Sequence, residues 1–284
     1  MGKKTPDLET LASIPPWEWV KGSDKVVLDV LCDADAEEGD RVLAAELAGE
    51  HCVMNDAFAD ALIAILHNPN EPDALRGTAA IAFGPVLEEA DMADPEFPDD
   101  LEELPIRLGT VKDVRRLFRK LYSDSSVPKE VRRRVLEASV CAPEDWHAAA
   151  IRAAYASDDP EWQLTAVFGM RHIRGFDDSI LEALHSGDPQ IHYEAVCAAG
   201  DREIAAAWPH VAGILSSEDR DKDLLLAAIE ASVTIQPQEA PGLLLDLMYD
   251  ADEDVVDAVH EAMAMAELMS AEFYGGEEEG EEEL

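Results

Sequence analysis

An apolar residue followed seven positions later by a small residue recurs along most of this chain of 284 residues. The apolar anchor is in turn Val42, Leu75, Val131, Trp162, Ile191, Leu224 and Val255, with successive spacings of 33, 56, 31, 29, 33 and 31 residues. The small residues are Gly49, Ala82, Ala138, Gly169, Ala198, Ala231 and Ala262. Because positions i, i+4 and i+7 share one helix face, each match predicts a helix that a neighbouring helix can approach closely.

A second apolar segment lies between successive anchors, at 57–66, 111–122, 146–155, 180–185, 204–215 and 243–249. Asp159-Pro160 and Asp188-Pro189 are typical helix starts, because Asp caps the first turn and proline is tolerated at the first helical position. Each repeat is therefore predicted to be a pair of helices. Neither helix of such a pair buries its apolar face alone, so the pattern predicts an all-α solenoid of about six to seven stacked helical hairpins.

Three segments resemble the first helix of HEAT-like repeats, of the short type found in phycobilin lyases. They are DPQIHYEAVCAAG at 188–200, DALRGTAAIAFG at 73–84 and DPEWQLTA at 159–166. The family often has an arginine directly after the anchor, which Arg76 and Arg132 match and the later repeats do not. The resemblance covers about residues 25–270. It implies a right-handed α-solenoid and says little about function.

Composition changes divide the chain into three predicted parts: an N-terminal cap segment at 1–23, the HEAT-like solenoid at 24–270, and an acidic tail at 271–284. The solenoid contains an acidic insertion at 85–110. Residues 85–105 include nine carboxylates, four prolines and no basic residue, which predicts a long acidic loop because proline blocks a regular helix. The glutamate-rich tail buries nothing and is predicted to be disordered.

The net charge of −40, from 62 acidic and 22 basic residues, disfavours nucleic acid and anionic membranes as partners of the chain as a whole. It suits basic partners or high salt. No stretch of about 18 apolar residues occurs, and the N-terminus lacks the apolar core of a signal peptide, so we expect a cytoplasmic protein without membrane contact. The four well-separated cysteines (Cys32, Cys52, Cys141, Cys197) are predicted to be small buried hydrophobes.

Residues 107–134 form a basic region, with ten positive and three negative side chains. Helical spacing places Arg115 and Arg119 on one side of a predicted helix. A positive region in a negative chain gives orientation to docking. We therefore predict that a protein partner binds to a set of residues in this region and the following helix: Arg115, Arg116, Arg119, Lys120 and Trp146. Two alternatives stay open: these cations neutralise the acidic insertion within the fold, or they bind nucleic acid.

No catalytic constellation is apparent among the eight histidines, none of which has HExxH spacing. Deoxyhypusine hydroxylase, which this fold resembles, binds iron through several His-Glu pairs, whereas the sole pair here is His260-Glu261. HEAT-like alkylpurine DNA glycosylases use a cationic, aromatic groove, which Trp146 and Arg152 beside Arg115 would resemble. The net charge opposes that reading.

The sequence therefore predicts a non-catalytic protein–protein interaction scaffold that binds its partner on the concave face, formed by the second helices. No catalytic residue, metal ligand or cofactor is predicted. The alternatives are an enzyme or enzyme subunit resembling a chromophore lyase, and a nucleic-acid binder acting through residues 107–134.

Overall fold

The helix pairs expected from the repeat are present in a computed structural model, which describes residues 7–93, 103–217 and 221–275. Over these residues the chain is all-helical, without a strand, as predicted. The α-helices are α1 (Leu8–Ala12), α2 (Ser23–Cys32), α3 (Glu38–Ala48), α4 (Asp56–His67), α5 (Asp73–Ile81), α6 (Gly84–Met92), α7 (Leu108–Ser123), α8 (Lys129–Ser139), α9 (His147–Tyr155), α10 (Pro160–His172), α11 (Asp177–Ala183), α12 (Pro189–Asp201), α13 (Trp208–Leu215), α14 (Lys222–Ile235), α15 (Ala240–Leu244) and α16 (Glu253–Gly275). Short 3-10 turns occur at Pro16–Glu18, Ala205–Ala207 and Leu245–Tyr249.

The chain divides into two compact units between Ala150 and Ile151. In the first unit the anchor-bearing helices α3, α5 and α8 pack one on the next, and each also packs against the helix before it, α2, α4 or α7. In the second unit α10, α12, α14 and α16 pack in the same serial way, with α11, α13 and α15 as the preceding helices. We call the anchor-bearing helices first helices and the intervening ones second helices.

Small residues allow the first helices to approach closely. A Cβ atom added at Gly49 of the α3 C-terminus would lie 2.8 Å from the Cα of Ala82, and one added at Gly200 of α12 would lie 2.9 Å from the Cα of Ala231. The position four residues after the anchor is fully buried in every repeat except the first, at Ala79, Val135, Ala166, Ala195, Ala228 and Val259. The predicted periodicity therefore describes the contacts that stack the helices.

Three arginines cap the helix that precedes them. Arg41, Arg76 and Arg132 donate hydrogen bonds to the main-chain carbonyls of Leu31, Leu66 and Tyr122, at 3.4, 3.1 and 2.9 Å, and each lies ten residues after its acceptor. These carbonyls belong to the last turns of α2, α4 and α7, where helical acceptors lack a partner within the helix.

The arginine register corrects the first anchor. If Arg41 is equivalent to Arg76, the first anchor position is occupied by Asp40 and not by Val42. The burial pattern agrees with this register. Ala44, four residues after Asp40, is fully buried, whereas Val42 is half-buried and Glu46, four residues after it, is exposed. The apolar pattern missed this register because the first anchor position carries an exposed charged residue.

Ion pairs between residues 30 positions apart join neighbouring repeats. Arg41 binds Glu71 through two hydrogen bonds of 2.6 and 3.1 Å, and the hydrogen bond from Arg41 lowers the pKa of Glu71. Arg171 and Asp201 are 2.5 Å apart, and the Lys222 ammonium lies 2.8 Å from Asp252. The first of these pairs is mostly buried, and the other two are more exposed, where ion pairs contribute little to stability.

The predicted acidic loop is wrong over its first part. Residues Gly84–Met92 form α6, which packs against α7 and α8, with Pro85 in the first turn. Proline is tolerated there because the amide hydrogens of a first helical turn have no partner within the helix. The part of the insertion at 94–102 lies outside the described residues.

The chain ends differ in part from what their composition predicts. Leu8 and Leu11 are buried where α1 packs on α2 and α3, and the Trp19 indole donates to the Leu11 carbonyl at 3.1 Å, whereas Trp17 is 77% exposed. At the other end α16 continues to Gly275, past the predicted start of the tail, and residues 276–284 lie outside the described residues.

The prediction that all four cysteines are buried is wrong. Cys32 and Cys52 are exposed, and Cys141 and Cys197 are half-buried. Cys32 is the last residue of α2 and Cys52 lies in the turn after α3, so an apolar sequence context did not place either in the core. Of the helices described, none is long and apolar enough to span a membrane.

Replacement of Gly200 by alanine tests the close helix contact. We expect Gly200→Ala to lower the free energy of unfolding by about 1–3 kcal/mol, because the new methyl group overlaps Ala231 and forces α12 and α14 apart. Gly213→Ala in α13 is the control, since no atom lies within 4 Å of the added Cβ, and it should raise stability by up to about 1 kcal/mol. Urea unfolding of both variants gives the comparison. Equal effects would contradict the contact.

Candidate functional site

Helix α7 carries most of the predicted binding residues on an amphipathic frame. Its apolar side packs Val111, Val114, Leu117, Phe118 and Leu121 into the core, and the Phe118 ring meets the edge of Phe83 with centroids 6.0 Å apart. This packing fixes the helix and leaves its cations at the surface.

A groove lies between the second helices α4 and α7 and has a volume of about 790 Å³. We call it the α4–α7 groove. Its lining combines apolar or small residues with charged ones: Ile63, Leu117, Gly109 and Thr110, and then Asp60, His67, Arg107, Asp113, Arg116 and Lys120. Cations thus line a groove that also offers apolar surface.

Two of the groove cations, Arg107 and Arg116, form exposed ion pairs, and the carboxylate of a ligand can replace the carboxylate of each pair. Arg116 pairs with Asp113 within α7, and the Arg107 guanidinium lies 3.0 Å from Asp56. The main-chain N–H of Arg107 also donates to Asp56 and lowers the pKa of that carboxyl. Both arginine side chains are more than two-thirds exposed, so each pair is worth about 0–1 kcal/mol.

The first turn of α7 adds positive potential to the groove. Gly109 and Thr110 lie at the N-terminal end of this helix, where the helix dipole favours anions. A Cβ atom added at Gly109 would have no atom within 4 Å, so the glycine leaves this part of the groove open. The groove therefore suits a ligand with carboxylate groups and some apolar surface, because it combines the N-terminal end of α7 with two arginines and a lysine.

Two of the predicted binding arginines do not line this groove. Arg115 binds Asp91 of α6 at 3.1 Å, and Arg119 binds Asp145 at 3.1 Å. Arg115 therefore contacts the acidic insertion, as the alternative interpretation of the basic region expects. Only Arg116 and Lys120 of the predicted set lie in the groove.

Three further arginines of the basic region bind groups within the fold. Arg132 caps α7, as described above, and its guanidinium lies 5.6 Å from the Tyr122 ring centroid. Arg133 and Arg134 bind Glu130 and Glu137 of their own helix α8, at distances of 2.9 to 3.7 Å. The net positive charge of the segment is therefore a poor measure of its capacity to bind a partner.

Trp146 belongs to a packed aromatic cluster and not to the groove. Its ring centroid lies 5.1 Å from that of Tyr122 and 3.9 Å from that of His147. Its indole N–H donates to the Glu144 carboxylate at 3.0 Å. His147 is buried, and its Nδ1 accepts the Glu144 main-chain N–H at 2.7 Å. Its Nε2 therefore carries the hydrogen and donates to Ser139 Oγ at 3.0 Å. Burial lowers the pKa of His147 to about 4.

Three histidines cluster in the second unit. Nε2 of His192 lies 2.7 Å from Nε2 of His210, and the His185 ring centroid lies 5.2 Å from that of His210. Burial, followed by the neighbouring imidazoles, lowers the pKa of His192 and of His210. One ring must donate and the other accept, so at least one of the two is neutral while this bond exists. In the described part of the chain, no group of three or more His, Cys, Asp or Glu side chains is arranged to hold a metal ion.

The sequence pattern missed several groove residues, namely Asp60, His67, Arg107 and Gly109. These residues lie on α4 or at the start of α7, two second helices that are distant in sequence and adjacent in space. The sequence pattern already made 57–66 and 111–122 successive second segments, but charge directed the prediction to the second of them alone.

No protein-family model and no curated protein matches the sequence. Among solved structures, human deoxyhypusine hydroxylase in complex with glycerol matches over 92% of this chain and 88% of its own, with 17% identity and a TM-score of 0.40. An engineered protein matches over 75% of this chain and 97% of its own, with 18% identity and a TM-score of 0.42. Likenesses at this level transfer no function to this chain.

The low pKa of His147 predicts a pH-dependent contribution to stability. Between pH 6.5 and about pH 4 the unfolded chain binds a proton at this residue and the folded chain does not. The contribution of His147 to the free energy of unfolding is therefore fully present above pH 6.5. It falls by about 3 kcal/mol as the pH drops to 4.

His147→Asn isolates this contribution from the many carboxylates. We expect the variant to be less stable than the parent chain at pH 7, because the bond to Ser139 is lost, and the difference to shrink towards pH 4. Chemical unfolding of both proteins across this range measures it. A difference that is independent of pH would contradict the buried, neutral imidazole.

Proposed function

We propose that this protein is a binding scaffold built of HEAT-like repeats and that its α4–α7 groove docks an acidic segment of a partner protein. The observation that carries the proposal is the groove itself, in which Arg107, Arg116 and Lys120 line an open surface beside a helix N-terminus. Anionic side chains are the ligands that such a surface favours.

The serial packing of the helices supports the HEAT-like assignment. In each unit the first helices stack through small residues, and ion pairs join residues 30 positions apart. Helix pairs with nearest-neighbour contacts are the units from which α-solenoids are built, and such proteins commonly bind partners along a row of helices.

Two features favour a protein ligand over nucleic acid. The net charge of −40 repels a polyanion that extends beyond the groove, whereas a short acidic segment meets only the local positive field. In addition, the half-buried Ile63 offers an apolar contact for a side chain, and Leu117 is buried beneath the groove. A segment with carboxylates around one apolar residue matches both.

A pair of double variants tests the proposal. A short fluorescent peptide of aspartate and glutamate around a central leucine is titrated with the full chain, and its anisotropy reports binding. We expect Arg116→Gln with Lys120→Gln to weaken binding about tenfold, because two groove cations are lost. Arg115→Gln with Arg119→Gln removes the same charge from the same helix outside the groove and should leave affinity nearly unchanged.

Gly109→Leu provides a variant without a charge change. Its side chain would enter open space in the groove, so we expect weaker binding of the acidic peptide with unaltered folding.

Equal losses in the two double variants would refute the groove as the site. A single-stranded oligonucleotide of matching charge that binds as tightly as the peptide would refute protein recognition.

A further inference from the structure

The second unit contains a groove of opposite character between the first helices α14 and α16. We call it the α14–α16 groove. On α14 the positions Leu226, Glu230 and Val233 follow the i, i+4, i+7 spacing of one helix face. On α16 the lining residues repeat in the same way from Asp254 through Ala258 and Glu261 to Met265. The groove has a volume of about 470 Å³.

The floor of this groove is apolar. Ile229 and Val233 are buried beneath it, and Leu226 is half-buried. Met265 is 48% exposed and Tyr193 is 36% exposed at its edges. Methionine is flexible and polarisable and adapts to the side chains of a partner.

The rim of the groove is acidic. Glu230, Asp257 and Glu261 are exposed, and Asp254 binds Lys222 at the end of the groove. Among the described lining residues there is no lysine or arginine. No lysine or arginine follows Lys222 anywhere in the sequence, so little positive charge offsets these carboxylates.

We propose that the α14–α16 groove docks a basic amphipathic helix of a partner protein. Apolar residues that alternate with carboxylates on both helices match a helix with apolar residues at i, i+4 and i+7 and with lysine or arginine beside them. From Asp254 to Met265 the lining of α16 extends over about 16 Å, the length of about three helical turns.

Charge favours a basic helix over the other ligands that could bind in an apolar groove. A second copy of this face would bring the same carboxylates together, and the glutamate-rich segment at 277–283 would be repelled likewise. Anionic lipid and nucleic acid are disfavoured for the same reason. A basic segment gains both the apolar contact and the favourable field.

The inference is independent of the α4–α7 groove, because it concerns other helices in the other unit and a ligand of opposite charge. The test uses a synthetic amphipathic helical peptide with a leucine stripe and lysine flanks. A second peptide has the same composition in scrambled order, which retains the charge and removes the stripe. Fluorescence anisotropy with the full chain measures both affinities at low and at physiological salt.

We expect the amphipathic peptide to bind at least about tenfold more tightly than the scrambled one, since only the former buries its leucines against Leu226, Met265 and Tyr193. Glu230→Gln with Glu261→Gln should weaken this binding, and Met265→Gln should weaken it without a charge change. Glu253→Gln with Glu267→Gln, two exposed α16 residues outside the lining, is the matched control.

Equal affinities for the two peptides would overturn the proposal, because non-specific attraction to the acidic chain would then explain binding. Equal losses in the groove and control variants would overturn it as well. Circular dichroism of the variants verifies that helicity is kept. Binding of the acidic peptide to these same variants should be unchanged, so failure here is distinguishable from failure of the α4–α7 groove.

Discussion

Close contact between successive first helices is the constraint on which both units depend. At Gly49 and Gly200 the next first helix leaves no room for a Cβ atom, because Ala82 and Ala231, each seven residues after its own anchor, lie against them. Small residues lower the cost of bringing two helix backbones together, and dispersion contacts then extend along the whole helix. Short side chains therefore lie at the closest contacts between first helices, while larger ones such as Phe83 and Phe118 fill the core beside them.

Charge is distributed in relation to this framework. Four cations of the basic region are used within the fold: Arg132 caps α7, Arg133 and Arg134 neutralise carboxylates of α8, and Arg115 binds α6. The cations of the α4–α7 groove form only exposed pairs or line its open surface. In the second unit, the absence of lysine and arginine after Lys222 leaves a strongly negative surface around α14 and α16. Two grooves of opposite charge would let one chain hold two different partners.

The sequence predicted the helices well and the residues that line the α4–α7 groove only in part. The spacing of the apolar anchors and the Asp-Pro pairs predicted the helix positions. Asp159 and Asp188 cap their helices as expected. The first register was missed because an exposed aspartate occupies the anchor position, and α6 was missed because Pro85 lies in a first turn. Of the residues that charge alone selected, Arg116 and Lys120 line this groove. Charge did not select His67 and Gly109, which line the groove because α4 and α7 are adjacent. Arg115 pairs with Asp91 and Trp146 packs beside Tyr122, outside the groove.

The most direct test of a scaffold with two oppositely charged grooves is chemical-shift mapping of the full chain by NMR, with the acidic and the basic peptide added in turn. The account predicts shifts confined to α4 and α7 with the acidic peptide, and to α14 and α16 with the basic one. Saturation of one site should leave the shifts of the other unaltered. Shifts spread over the whole acidic surface with the basic peptide, or no localised shifts with either, would contradict it.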